Sequence, residues 1–539
     1  MKAFDVAIIG SGLGGGTLGL ILARRGLRVL LLEREHHPRF ALGEAGIKET
    51  SLSFLALAER FDVPELGALA SAERVARHIA PTSGQKESFS FLWHGPGEPH
   101  KEGDAVQVGS PPFPFGIDAH YLRADVDRFV AHAAVARGAT LVEGAEVAEV
   151  DPRDGGVTLR LKDGRAFEAR FVADGGGRAS PLYRQLALGE GAPGMRAASR
   201  SLFTHLRGVR PCDEAVSPAS AVGLPHAFHS GTTHHLFPGG WMWVIPFDNR
   251  RGSTSDLCSV GLSLDEAHHP RREGVDPAEE VAAILGRFPS IAAQLKGASL
   301  ARPWASTGRL QHRAAKAVGW RWALLPHAAG FVDPLFSRGL YLSATGTGLL
   351  ADALLTMLAM DDLDPAHLAA YEAGVLATVD TTDRLVRAAY DAFASFELFN
   401  AWHRVWALGA FYESQRLGLT HLTGRALPTA DPPRGLPFEL PSFGPLFDAA
   451  AGAVGEVAEG RRSPSDAAAS IFRALATSPL SPPPLRCADG ERRYLNATGP
   501  RSNLALRRWA RSDAGAEVAP LFDYPVSGAA RALARRWFG

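Results

Sequence analysis

The sequence predicts a two-part α/β protein with a helical C-terminal region, and three observations carry that prediction. A nucleotide-binding pattern opens the chain, short alternating strands fill its middle, and helical periodicity dominates from Pro365 onwards. Phe4 to Glu33 reads as strand, glycine turn, helix, strand and acidic end. Asp5-Val6-Ala7-Ile8-Ile9 runs directly into Gly10-Ser11-Gly12-Leu13-Gly14-Gly15, a G-x-G-x-x-G with glycines at 10, 12 and 15. Gly10 allows the tight turn, Gly12 lets backbone approach a pyrophosphate, and Gly15 lets the following helix pack on the strand. Unpaired N–H groups at the helix start attract the phosphates. Gly26 ends that helix, and Arg28 to Leu32 is a second strand finishing at Glu33, which is placed to accept from ribose hydroxyls. With 57 glycines in the chain, a chance match to the motif is expected. The flanking strand, the helix and an acid about twenty residues on are what make it a Rossmann-like dinucleotide site.

A chain of 539 residues is too long for one core and divides into two or three domains. Residues 1–185 and 300–365 are expected to form a discontinuous nucleotide-binding domain. Residues 186–299 form an antiparallel sheet to which 60–100 contribute, and 366–539 form the helical region. Apolar residues at 46% and charged residues at 21% fit an ordinary globular protein. Lys+Arg and Asp+Glu are both 57, and a net charge of zero argues against a nucleic-acid partner. Cys212, Cys258 and Cys487 are odd in number and too far apart for a metal knuckle, which predicts a reducing, cytoplasmic setting. The long apolar run Val6 to Ala23 belongs to the nucleotide fold and no other run reaches transmembrane length, so no stable membrane insertion is expected.

In chain order, Arg34 to Glu49 is a polar loop feeding an amphipathic helix over Ser51 to Phe61. Phe89, Phe91 and Trp93 alternate at strand spacing within Ser88 to Trp93. Tyr121 to Arg137 is helical, Thr140 to Val150 and Val157 to Leu161 are strands, and Lys162-Asp163-Gly164-Arg165 is a hairpin turn. Phe171 to Gly177 is an apolar strand stopping at Asp174 and three glycines, an ending that delivers backbone to a ligand. Arg200 to Leu264 carries short alternating strands around Trp241-Met242-Trp243-Val244-Ile245-Pro246. Ala323 to Leu325 returns as a strand before Pro326 to Pro334, and a helix covers Gly339 to Met360. Pro365 to Leu417 is helical with an aromatic stripe at Tyr390, Phe393, Phe396, Phe399, Trp402 and Trp406, read as core with an apolar substrate wall as the alternative. A proline-rich stretch follows from Pro428, then a helix over Phe447 to Ala476 and a short basic helix over Gly528 to Phe538.

Three dispersed segments together resemble the flavoprotein monooxygenase superfamily: the fingerprint, Arg123 in Tyr121-Leu122-Arg123-Ala124-Asp125, and Gly330 to Asp333 ahead of a helix. The resemblance implies FAD, with Arg123 holding the dinucleotide and the Asp333 segment against the flavin ring. Gly10, Gly12, Gly15, Glu33, Arg123, Asp174 and Asp333 are therefore the candidate cofactor residues. A narrower resemblance is to the flavin-dependent halogenases. Trp241, Trp243, Ile245 and Pro246 match their W-x-W-x-I-P, Lys86 ahead of the aromatic strand matches their catalytic lysine, and Asp333-Pro334-Leu335-Phe336-Ser337-Arg338-Gly339 is similar to their D-P-L-x-S-x-G loop. Together these cover roughly residues 1 to 410. Two departures stand out. Phe336 occupies the position where tryptophan halogenases carry a glutamate, which points to a phenol or pyrrole substrate. Pro326-His327-Ala328 replaces the usual Gly-Asp-Ala, which implies a looser grip on flavin.

Halide is a nucleophile in water and must lose two electrons to attack an aromatic ring. The resemblance implies that reduced FAD from a partner reductase, with oxygen, turns chloride or bromide into hypohalous acid beside the Ser337, Arg338, Gly339 loop, whose backbone N–H groups hold the halide. Lys86 then hydrogen-bonds the hypohalous acid or forms a haloamine; its bland alternative is a solvated strand-edge lysine. Trp241 and Trp243 share one strand face and would wall the flavin off from a small aromatic substrate, free or carrier-tethered. His226, His229, His234 and His235 lack a completing carboxylate or cysteine, so no metal is expected. The competing functions are a flavin hydroxylase, a geranylgeranyl-reductase-like flavin enzyme and a flavin-binding protein without activity.

Overall fold

The strand Phe4–Ile9 lies in the middle of an eight-stranded sheet, with Ala166–Asp174 and Val29–Leu32 parallel on either side of it. The chain is described by a computed structural model over residues 4–110, 115–423, 431–496 and 500–523. The sheet runs Val318–Gly319, Trp322–Leu324, Ala166–Asp174, Phe4–Ile9, Val29–Leu32, Thr140–Val142. Ile9 is level with Leu32 on one side and Asp174 on the other, and Asp174 with Leu324, so these strands end together at one edge. Ligands bind at that edge in doubly wound sheets. The apolar helix Leu13–Arg24 is buried over most of its length, as a helix hydrophobic on all sides must be. It is packed between Arg123–Ala136 and Gly339–Met360.

Thr140 to Val150, expected as one strand, is two. Thr140–Val142 pairs with Leu30 to Leu32, whereas Val147–Arg153 joins a meander with Gly156–Leu161. Gly144, with φ of +62°, turns the chain between them. The basic helix expected over Gly528 to Phe538, and Pro428, lie outside the described residues.

A second sheet has nine strands, in the order Ser299–Leu300, Ser199–Arg207, Leu257–Asp265, Gly240–Pro246, Thr232–Phe237, Ser88–Trp93, Ala105–Gly109, Tyr494–Leu495, with Ala305–Ser306 also on Ser199–Arg207. It is mixed rather than purely antiparallel. Thr232 to Leu236 runs parallel to Phe89 to Trp93, and Tyr494–Leu495 runs parallel to Gln107 and Val108. These pairs come from distant parts of the chain, and only hairpin neighbours are obliged to run antiparallel. On Gly240–Pro246, Trp241, Trp243 and Ile245 face the C-terminal helices, while Met242 and Val244 face Val281, Ile284 and Phe288.

Four longer helices follow: Ala369–Ala392, Phe396–Thr423, Phe443–Ala458 and Pro464–Thr477. The stretch expected as one helix to Ala476 breaks at Gly460 (φ +70°) and restarts with Pro464 at its first turn. Phe393, Phe399, Trp402 and Trp406 of the aromatic stripe are buried in this core. One described helix, Leu335–Met360, is long and apolar enough to cross a membrane, which the sequence reading did not count; more than half of its apolar window is buried in the fold.

Candidate active site

At the glycine turn, a methyl on Gly15 would overlap the Gly10 carbonyl oxygen, and Gly10 has φ of +85°. The helix therefore starts as close to the strand as backbone allows. Its N-terminus carries no side-chain cap. Two guanidinium groups stand beside it: a Cβ on Gly12 would come within 2.9 Å of Arg39 and 4.0 Å of Arg123. Glu33 is buried and accepts from the Ser11 N–H and hydroxyl, each at 3.0 Å. Arg39 pairs with Glu33 at 3.2 Å and Asp127 at 3.4 Å, and Arg123 pairs with Asp127 at 2.8 Å. Burial pushes the Glu33 carboxyl up, but Arg39 and the Ser11 bonds outweigh it and hold the group below its ordinary range. A tight glycine turn, an uncapped helix start, two arginines and an acid one strand away suit the phosphates and ribose of FAD. Arg39 was missed in the sequence, where it is one of several charges in a polar loop.

Asp174 has a different place. Its carboxylate accepts from Gly176 N–H (2.8 Å), Ser180 hydroxyl (2.6 Å) and Leu182 N–H (3.0 Å). Its contacts brace the glycine loop beside Gly10 from behind, an indirect part in any cofactor site. His327, standing where the family has an acid, is half-buried; desolvation and then the nearby Arg123 charge lower its pKa to about 4.

The loop after Asp333 is strained: Phe336 and Ser337 have φ of +67° and +54°, values costly for residues with a Cβ. Three features hold it. Asp333 accepts from Ser199 (2.6 Å), Ser263 (2.8 Å), Tyr390 (2.9 Å) and the Leu335 N–H (3.0 Å). Phe336 stacks on Trp406 at 4.4 Å, and the buried Arg338 donates to Gly435 O at 2.7 Å. The Ser337 N–H bonds Pro334 O at 3.0 Å and so is committed within the turn. This narrows the expected halide cradle to the first N–H groups of the helix Gly339–Met360, which have no intrahelical acceptor.

Lys86 reaches this loop from the other side. It is the last residue of a short strand, Gly84–Lys86, opposite Asp118. The side chain is 0% exposed, which removes the solvated-lysine alternative. Its ammonium donates to Ser337 Oγ at 3.1 Å and lies 3.4 Å from the Phe89 ring centroid. Burial drives its pKa well below the ordinary lysine value, against the pull of Asp118 and Glu49.

Trp241 and Trp243 lie side by side, ring centroids 5.6 Å apart. Trp241 Nε1 donates to Tyr390 OH at 3.2 Å, so the tryptophan strand connects through Tyr390 to Asp333; Trp243 Nε1 donates to Ser259. Ile245 is buried beside them, and Pro246 O accepts from His120 Nδ1 at 2.8 Å. The structure thus brings Lys86, Phe336, Ser337, Arg338, Asp333 and the tryptophans into one connected region, and places Gly10, Gly12, Gly15, Glu33 and Arg123 in a separate nucleotide cluster. Among the described residues, no group of histidines, cysteines and acids could hold a metal. His235 instead bonds His94 and Gln294.

The family described as tryptophan halogenase matches residues 102–399, and an FAD binding domain matches 3–60. The chain belongs to the flavin-dependent halogenases. It is 37% identical over 97% of its length to monodechloroaminopyrrolnitrin halogenase PrnC of Pseudomonas fluorescens, covering 94% of that protein. It is 36% identical to the tetracycline 7-halogenase of Kitasatospora aureofaciens, covering 94% of this chain and 93% of the relative. A crystal structure of halogenase PltM in complex with phloroglucinol and FAD superposes with a TM-score of 0.85 at 32% identity, over 91% of this chain and 99% of PltM. The likeness therefore runs well past residue 410, and the C-terminal helices belong to the shared architecture. This halogenase uses FAD, oxygen and halide to halogenate an aromatic substrate, and its likeness is to the phenol and pyrrole type.

Proposed function

We propose that this chain places chlorine or bromine on a free, electron-rich phenol- or pyrrole-type ring, with Lys86 steering the electrophile. The observation that carries this reading is the bond from the buried Lys86 ammonium to Ser337, on the loop beside the expected halide cradle. When bound, reduced FAD with oxygen supplies the two-electron oxidation that turns halide into hypohalous acid. Lys86 donates a hydrogen bond to the hypohalous oxygen and polarises the O–halogen bond; its lowered pKa eases transfer of that proton. Gly10, Gly12, Gly15, Glu33, Arg39 and Arg123 bind the dinucleotide, and Asp333 fixes the strained loop. Phe336, Trp241 and Trp243 keep the aromatic substrate off the flavin. The relatives at 36–37% identity are named for monodechloroaminopyrrolnitrin and tetracycline, whereas those named for a pyrrole on a peptidyl-carrier protein are 23–24% identical, which supports a free substrate. A reducing cytoplasm, with a separate reductase delivering reduced flavin, suits the three cysteines, all free thiols and buried.

The test supplies the protein with FAD, a flavin reductase, NADH, oxygen, bromide and an activated phenol, and reads the product by mass spectrometry. A bromine isotope doublet is expected, falling about 10²-fold or more in Lys86→Ala with flavin binding unchanged. A hydroxylated product without bromine would make the chain a hydroxylase, and an undiminished rate in the variant would remove Lys86 from the mechanism.

A further inference from the structure

Electrophilic substitution leaves the ring with one proton too many, and the site described above holds no group to take it. Lys86 is the donor to the hypohalous acid, and Phe336 brings no carboxyl. Around them lie three buried acids. Asp118 is held by Lys48 at 3.0 Å, Ser51 at 2.8 Å and Ser110. Glu413 is held by Tyr341 and by Arg416, the latter with Nε at 2.9 Å. The third, Glu49, is 6% exposed, and among the described residues its carboxyl is bonded only by its own backbone N–H.

Every other buried acid in the described residues is tied to a partner: Glu33 to Ser11, Glu44 to His205, Asp127 to Arg123, Asp174 to Ser180, Asp265 to Arg387, Glu280 to Arg200, Asp333 to Tyr390, and Asp383 to the N–H groups of Arg196 and Ala197. A buried acid without such a partner costs stability and is kept where chemistry needs it. Its place in the fold says which chemistry. Glu49 is the second residue of the helix Lys48–Phe61, between two residues, Lys48 and Ser51, that grip Asp118, the strand partner of Lys86. Glu413, on Phe396–Thr423, and Arg338, on the loop after Asp333, act on it electrostatically, as Asp118 does, and Glu49 in turn is one of the two acids that pull on Lys86.

We infer that Glu49 is the base of the site: it accepts the proton that the ring loses as the halogen goes on. This rests on the halogenase reading of Lys86. The ring's electron pair forms the carbon–halogen bond as the O–halogen bond breaks, and the departing hydroxide takes a proton from the Lys86 ammonium to leave as water. The ring C–H proton passes to the Glu49 carboxylate, which returns it to the neutral Lys86. Hypohalous acid and arene become aryl halide and water, and both side chains are restored. A base is most effective with a pKa near the working pH, and burial, then the Glu413 charge, raise Glu49 to about 7.

The test compares wild type, Glu49→Gln and Glu49→Asp on a phenol and its ring-deuterated form, with an external scavenger trapping released hypohalous acid. Wild type is expected to brominate both forms equally. The Gln variant is expected to lose about 10²- to 10⁴-fold in aryl bromination, to discriminate against deuterium, and to release hypohalous acid at the wild-type rate or faster. The Asp variant falls between. Infrared difference spectra, which need no turnover, should show a protonated carboxyl that titrates near neutrality and is absent from Glu49→Gln. Full-rate bromination by Glu49→Gln, or loss of hypohalous acid formation itself in both variants, overturns the assignment. If the wild-type chain oxidises no halide, the halogenase reading falls and takes this one with it.

Discussion

Glu49 also makes a thermodynamic prediction that does not depend on substrate. Its folded value of about 7 lies above the ordinary 4.5, so the folded chain holds this proton more tightly than the unfolded one. Below about pH 4.5 the acid is neutral in both states and adds no penalty; as pH rises through 7 the folded state alone must bury the charge, and stability is lost. At about 1.4 kcal/mol per unit the loss is roughly 3 kcal/mol. Glu49→Gln should therefore unfold at the same temperature as wild type near pH 4 and at a higher one at pH 8, read by calorimetry; a variant less stable at both would mean that Glu49 braces the fold. Residues such as Gly10, Gly12 and Lys86 were legible because a local pattern surrounds each. Arg39 and Glu49 were not, since both sit in a polar stretch and take their meaning from Asp127, Glu413 and Lys86, far away in sequence.

Elements were legible where their periodicity is local. The strand from Ser88 to Trp93 and the helix after Gly339 follow from alternation and apolar content. Pairing did not, because the parallel seam between Phe89–Trp93 and Thr232–Leu236 joins segments that no turn connects. The first βα element gives a sharp test: Gly15→Ala sets a methyl against the Gly10 carbonyl oxygen, and the purified variant should carry no flavin by its visible absorbance. At the tryptophan strand, Tyr390→Phe removes the hydroxyl that donates to Asp333 and accepts from Trp241. With both partners buried, a loss of about 1–3 kcal/mol is expected, seen as a lower urea midpoint at an unchanged slope.

On the scale of the whole molecule, motifs and local periodicity in the sequence divided the chain, and the structure shows contacts that cross those divisions. The segment after residue 431 returns to the loop that carries Ser337 and Arg338, where Gly435 takes φ of +68° and a Cβ would lie 2.6 Å from the Arg338 guanidinium. Gly435→Val should displace Arg338 and lower the melting temperature even though it lies nearly a hundred residues away, as a thermal scan would show. The bond from Lys86 to Ser337 spans 251 residues. Contacts of such separation form late, since loop closure must precede them. On the roles proposed here, a nascent or half-folded chain possesses neither its steering group nor the loop that makes the oxidant, so the capacity to generate a corrosive reagent arrives together with the means to confine it.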